Sequence, residues 1–390
     1  MTERRSSSTF QNVRSTPDEW LLAFPESRRR GFRHAEGRAE RVFNAGSVLV
    51  LVLFAMGWSW YIARARAAGE KGVTSVTAGI ASALTNSKAP SAAYLTDAAL
   101  NVLAAPARGA SGKLRVKILQ PGTPIAPIIS GSARGAGIRF SAGAVAESTA
   151  TMTAPRRVGI WKLALSVGSA VKPLADFSLI TLRPAAEKKG GRLGLYYIGN
   201  WPTARRGRPG TNYEAPGGFI EVTRESQNTH LSEHFRLKDF FPHDQANVWP
   251  KYIVVDIKLI DKMELVLSDL QKQGINTKGV RVMSGFRTPQ YNSGGGDPRG
   301  RASMSRHMYG DAADIFIDSD GNGNMDDLNR DGRVNIADAR VILAAVNRVE
   351  RAHPSLVGGC GVYSANSAHG PFTHVDTRGY PARWTGTGDG

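Results

Sequence analysis

Between Phe43 and Ala63 the chain reads FNAGSVLVLVLFAMGWSWYIA, 21 residues without a charge. A helix needs about 20 apolar residues to cross a hydrocarbon core. No amphipathic stripe divides the run, so the pattern predicts a transmembrane helix over 43–63. Residues 64–112 are rich in Ala, Ser and Gly with little periodicity and read as a stalk. From 113 to 200 the runs KLRVKILQPG, GIRFSAGAVA, VGIWKLALSV, DFSLITLRP and RLGLYYIG alternate with Gly, Pro and Ser. They predict a small all-β domain, a sandwich or barrel. A polar connector heavy in Arg, Gly and Pro covers 201–229. In 230–384 the period changes. Ile257, Ile260, Met263, Leu267 and Leu270 fall at helical spacing within 256–273, and Val341, Ile342, Ala345, Val346 and Val349 mark a second helix. VRVMSGF, AADIFI and FTHVD read as strands, which makes this last unit α+β.

Composition fits that division. At ~150 residues per domain, 390 residues imply two or three domains. An apolar fraction of 41% and a charged fraction of 21% describe a folded chain. The single cysteine, Cys360, excludes an intramolecular disulfide framework and a multi-cysteine zinc finger, and reads as a small buried residue. Lys and Arg total 50 against 33 Asp and Glu, a net charge of +17. Such a charge suits nucleic acid, a membrane surface or an anionic wall polymer. The basic residues are spread along the chain with no helix-turn-helix, RRM-like or zinc-finger signature, so no nucleic-acid partner is expected. Nine Lys/Arg precede the apolar run, Arg28, Arg29, Arg30, Arg33, Arg38 and Arg41 among them, and only Arg64 and Arg66 follow closely. The positive-inside rule then makes 1–42 a cytoplasmic basic tail, with Trp58, Trp60 and Tyr61 as the outer aromatic belt. The expected location is the inner membrane, single-pass, with the C-terminal domains outside the cytoplasm. A competing reading is a signal peptide cut near Ala63-Arg64-Ala65, although its n-region of about 40 residues would be long. Both readings export the bulk of the chain.

Three segments concentrate reactive side chains: Ser284–Asn292 (SGFRTPQYN), Ser305–Asp314 (SRHMYGDAAD) and Phe372–Arg378 (FTHVDTR). Catalytic zinc commonly takes three protein ligands from His and Asp/Glu and keeps one position open. His307, Asp314 and His374 supply such a set. On a strand, His374 and Asp376 share a face. Asp376 is then either a base toward metal-activated water or a partner for the ligand histidine.

SRHMYGDAAD matches every fixed position of SxHxxGxAxD, the hallmark of the LAS zinc peptidases. That family contains D-Ala-D-Ala carboxypeptidases, murein endopeptidases and hedgehog proteins. SGFRTPQYN resembles its SGYRSPxYN element. GGCGVY and FTHVDTRGYPARW are similar to the C-terminal end of the murein endopeptidase branch. The resemblance covers roughly 230–384 and implies an α+β hedgehog/DD-peptidase-like fold. It implies zinc at His307, Asp314 and His374, with Arg287 and Ser305 at the substrate. Arg287 would hold a substrate carboxylate or the developing oxyanion. The implied substrate is peptidoglycan, its stem peptides or crosslinks, with endopeptidase favoured over carboxypeptidase. Two family positions differ: Pro371 stands where many members carry an acid, and Phe372 where others carry His. Asp376 is the first candidate for the base and His369 the second. If neither serves, the alternative is a noncatalytic, zinc-containing wall-binding protein.

An acidic insertion, 318–338, lies between Asp314 and His374. Asp327, Asn329, Asp331, Arg333, Asn335 and Asp338 occupy positions 1, 3, 5, 7, 9 and 12 of an EF-hand-like loop, with Gly332 at position 6. Its terminal Asp resembles dockerin loops. An upstream frame, Asp318, Asp320, Asn322 and Asp326, overlaps it. The expectation is one structural Ca2+ site, or two ions sharing ligands.

Overall fold

The computed structural model describes residues 109–124, 136–142, 145–149, 153–167, 170–202, 213–294 and 302–386. All belong to one compact unit, Ser75–Gly390; a second unit, Met1–Thr74, lies outside the described residues. The predicted tail, span 43–63 and nearly all of the stalk also lie outside them. Among the described residues, no helix is long and apolar enough to cross a membrane.

Strands β1 (Val116–Leu119), β2 (Ala136–Ala142), β3 (Val145–Thr149), β4 (Gly159–Val167) and β5 (Ala170–Thr181) form one sheet in the order β1-β5-β4-β2-β3. Its pairs are antiparallel except β1 with β5. Residues 113–181 of the β-rich stretch thus form one described sheet, where a sandwich or barrel was expected. Buried Trp161 donates from its indole nitrogen to Thr181 Oγ1 at 2.9 Å, tying β4 to β5. β6 (Arg183–Pro184) leads to a short hairpin of β7 (Arg192–Leu193) and β8 (Tyr196–Tyr197). β9 (Gly218–Val222) falls inside the predicted connector. Its GFIEV run is almost wholly buried between β6 and β10 (Lys251–Ile253), too short a signal to stand out among its Gly and Pro neighbours.

Helix α1 (Ile257–Lys272) follows, with Asp256 as its N-cap accepting from Lys258 N at 2.9 Å. Next come β11 (Val280–Ser284), the short α2 (Pro289–Gly294), β12 (Ala312–Ile317), α3 (Ile336–Ala352), β13 (Gly359–Tyr363), β14 (Phe372–Asp376) and β15 (Ala382–Gly386). The five strands make a sheet in the order β11-β12-β14-β13-β15, antiparallel except for β13 with β15. The apolar faces of α1 and α3 contribute Leu259, Met263, Ile342 and Val346 to a core that also holds Ile315 and Val375 of the sheet. Leu114, Val116 and Ile180 belong to the same core. The β-rich stretch therefore shares its apolar interior with the C-terminal unit. Ahead of β1, the amides of Ala110 and Ser111 donate to Asp261 of α1 at 2.7 and 2.8 Å.

Cys360 is fully buried on β13, and burial pushes its thiol up to about 12. Thiolate is the reactive form. Iodoacetamide at neutral pH is expected to leave the native chain unlabelled and to modify it after denaturation. Rapid native labelling would contradict this burial.

Candidate metal centre

The three predicted zinc ligands come together. Asp314 on β12 and His374 on β14 are directly opposed in the antiparallel register. His307 comes from a 3-10 turn, Arg306–Tyr309. Gly310 closes that turn at φ 73°, and a Cβ there would approach Val254 O to 2.4 Å. The glycine of the motif is thus required twice, by its left-handed backbone and by space. Arg306 braces the turn through Nε, 2.9 Å from Asp311 Oδ1.

His307 Nε2 lies 3.2 Å from His374 Nδ1 and 3.3 Å from Asp314 Oδ1, and His374 Nδ1 lies 2.9 Å from Asp314 Oδ1. Tetrahedral zinc with bonds of 2.0–2.2 Å places neighbouring ligand atoms about 3.3 Å apart. The triangle therefore has the size and donors to hold a metal ion, and zinc is compatible with both. The opposite ring nitrogens fix which atoms face inward. His307 Nδ1 is 2.7 Å from Gly285 O, an atom that only accepts, so Nδ1 carries the proton and Nε2 presents a lone pair. His374 Nε2 donates to Asp376 Oδ2 at 3.1 Å, leaving Nδ1 for the centre.

Of the two roles considered for Asp376, that arrangement favours the partner of a ligand histidine. Its carboxylate lies behind the His374 ring, on the nitrogen facing away from the triangle, and is fully buried. Gly359 N donates to Oδ1 at 2.7 Å, and Arg378 Nε to Oδ1 and Oδ2 at 2.9 and 2.8 Å. It is therefore placed to orient a ligand and not to take a proton from water at the centre. Asp376→Asn is expected to weaken zinc binding about 10- to 100-fold, measured by chelator competition. Unchanged affinity would sink the orienting role.

Arg287 donates through Nη2 to Asp314 Oδ2 at 2.8 Å and through Nε to Ser284 Oγ at 2.9 Å. Its guanidinium thus borders the triangle. Ser305 is buried at the start of the His307 turn, where its carbonyl accepts from Met308 N at 3.1 Å. His369 packs edge-on against Phe372, centroids 4.9 Å apart, with Nδ1 2.8 Å from Gly370 O. Tyr363 stacks on Phe372 at 4.5 Å and accepts from Trp384 Nε1 at 2.8 Å. The Trp384 ring lies 5.2 Å from that of His374. Gly361 permits this, since a Cβ there would meet Trp384 at 2.2 Å.

The electrostatics follow from burial. Burial and then nearby Arg287 lower His307 to about 4, which keeps its imidazole neutral. Burial opposes charge on His374 too, but the carboxylates of Asp314 and Asp376 outweigh it and raise His374 to about 9, so without an ion Nδ1 holds a proton toward Asp314 that a metal would displace. Asp314 and Asp376 stay well below the usual carboxylate range. Burial works against them, but hydrogen-bonded His partners, and for Asp376 also Arg378, overcome it.

Two supporting residues escaped the sequence reading. Arg378 clamps Asp376, a pairing signalled only by Asp and Arg two residues apart at the end of a strand. Ser284 receives Arg287, which no spacing rule announces.

In the acidic insertion the carboxylates are engaged by the amides of the loop. In the 327–338 frame, Asp338 Oδ1 accepts from Leu328 N and Asn329 N at 2.9 and 3.2 Å, and Oδ2 from Asn335 N at 2.8 Å. Asn335 accepts from Ala337 N, completing a capping box at the start of α3. Asp327 accepts from Asp331 N and Gly332 N, and Asp331 Oδ1 from Arg333 N. The terminal Asp of the predicted loop is thus engaged as a helix cap. Among the described residues, the acidic oxygens that converge within 4.8 Å are those of Asp318, Asp320 and Asp326, the upstream frame.

Compared with known protein families, curated proteins and solved structures, the chain matches none.

Proposed function

We propose that this chain is a membrane-anchored zinc peptidase that hydrolyses peptidoglycan stem peptides or crosslinks outside the cytoplasm, with crosslinks favoured. The observation that carries this reading is the triangle of His307 Nε2, Asp314 Oδ1 and His374 Nδ1, with edges of 2.9 to 3.3 Å. Both histidines have their far nitrogens already engaged, so the donor set is preorganised. In the reaction water adds to the scissile carbonyl carbon, the C–N bond breaks and the leaving amine takes a proton. Zinc held there supplies Lewis acidity toward the carbonyl and toward water. Arg287, beside Asp314, orients a substrate carboxylate or faces the developing oxyanion. Asp376, held by Arg378, keeps His374 in its ligating orientation. Tyr363, Phe372 and Trp384 supply an aromatic wall next to His374.

The diversion of Asp376 to His374 also favours a second reading, a zinc-containing wall-binding protein without turnover, because it leaves the position of the base unfilled by the first candidate. One experiment separates the two. The chain is incubated with purified muropeptides, with and without a zinc chelator, and fragments are read by mass spectrometry. Chelator-sensitive cleavage supports the peptidase, and the mass lost names the bond. A folded, zinc-loaded chain that binds muropeptides and leaves them intact overturns it in favour of the binding protein.

A further inference from the structure

Asp318 follows directly on β12, the strand that carries Asp314. Its residue is only 3% exposed, yet Oδ1 is buried without a hydrogen-bond partner. An ionised oxygen left unpaired in the interior is costly, by several kcal/mol at a charged group. One carboxylate oxygen each of Asp318, Asp320 and Asp326 lie within 4.8 Å of one another, about the span across a calcium ion with bonds of 2.3–2.6 Å. Arg281 Nε lies 3.5 Å from Asp318 Oδ2 and brings one positive charge to three negative ones. Two charges remain to be balanced.

The amide bonds already present are compatible with an ion. Gly323 N donates to Asp318 Oδ2, Asn322 N and Nδ2 donate to Asp320 Oδ1 and Oδ2, and Ser319 N and Oγ donate to Asp326. Each carboxylate offers about four lone-pair sites, so these contacts leave capacity at every acid. All donors are hard oxygens, the set that selects calcium over zinc or copper.

We infer that Asp318, Asp320 and Asp326 form a divalent-cation site of calcium type, whereas the acids of the 327–338 frame do not converge in this way and Asp338 serves the capping box that opens α3. The site stands apart from the zinc triangle and does not depend on the peptidase reading. Its placement gives it a structural role there. Asp326 N bonds Ile317 O at 2.7 Å and Asp318 N bonds Gly279 O at 2.9 Å, so the ion would fasten the insertion to the ends of β12 and β11. Asn324 abuts Gly370, where a Cβ would come within 3.0 Å of its Oδ1. Gly370 lies just before β14 and His374. A bound cation would therefore hold the rim of the zinc centre through the loop.

The test is direct calcium binding to the full chain after removal of divalent ions, by calorimetric titration with calcium chloride. About one calcium per chain is expected, with a rise in thermal midpoint on addition. Asp320→Asn, at an exposed position, is expected to weaken binding about tenfold or more, because affinity follows ligand charge. Asp331→Asn, also exposed, is expected to leave it unchanged. No saturable binding to the folded chain at ~10 mM calcium, above the weakest extracellular modules, would overturn the inference. So would binding that survives Asp320→Asn unchanged, or binding that Asp331→Asn abolishes.

Discussion

His307→Ala is expected to bring zinc from about one per chain to near none and to lower muropeptide cleavage by about 10³-fold or more. The reasoning starts from geometry. His307 Nε2 is one corner of a triangle whose edges match the separations around tetrahedral zinc. Alanine leaves one histidine and one carboxylate, which is not a closed set for a catalytic site. The Lewis acidity lost with the ion is worth several kcal/mol of barrier, and each 1.4 kcal/mol is tenfold in rate. Metal content by mass spectrometry and fragment masses from muropeptides give the two readouts. A folded His307→Ala chain with full zinc and undiminished cleavage would remove the triangle from the mechanism.

Lys262→Met is expected to destabilise the fold by about 3 kcal/mol, the lower end for breaking a buried ion pair. Lys262 is completely buried. It donates to Glu350 Oε1 and to the backbone oxygen of Asp376, both at 2.6 Å. Burial lowers the Lys262 pKa, and Glu350 counters it. Methionine fills a similar volume but leaves Glu350 short of a partner. Arg383 and the Gly358 amide still hold that carboxylate, which keeps the loss at the lower end. Lys262→Met with Glu350→Leu should cost less than the sum of the two single changes, since the stranded charge is gone. Chemical unfolding measures each. A loss under about 1 kcal/mol for Lys262→Met would mean the network contributes little.

The elements around the site were legible because their periods are strong. The helical spacing read within 256–273 matches α1 to within a residue at each end. AADIFI and FTHVD became β12 and β14, with Asp314 and His374 opposed. Spacing could not show which side of the His374 ring Asp376 occupies, because strand alternation places a residue on a face and says nothing of which nitrogen it reaches. In the acidic insertion, two overlapping frames satisfied the same spacing rule. In three dimensions Asp318, Asp320 and Asp326 converge, while Asp338 serves the capping box of α3. Lys262 carried a signal that went unread. It lies three residues after Leu259 and four before Val266, squarely on the buried stripe of α1. A charge at such a position needs a buried partner.

The pairing of β12 with β14 carries a consequence for maturation. Asp314 and His374 are partners in the ladder, and His374 is in turn opposite Gly361 on β13. A slip of one residue between strands would turn a ligand to the other face of the sheet. The same slip would draw Val375 out of the core it shares with Ile315, so the packing of the sheet, before any ion arrives, holds the two side chains in line.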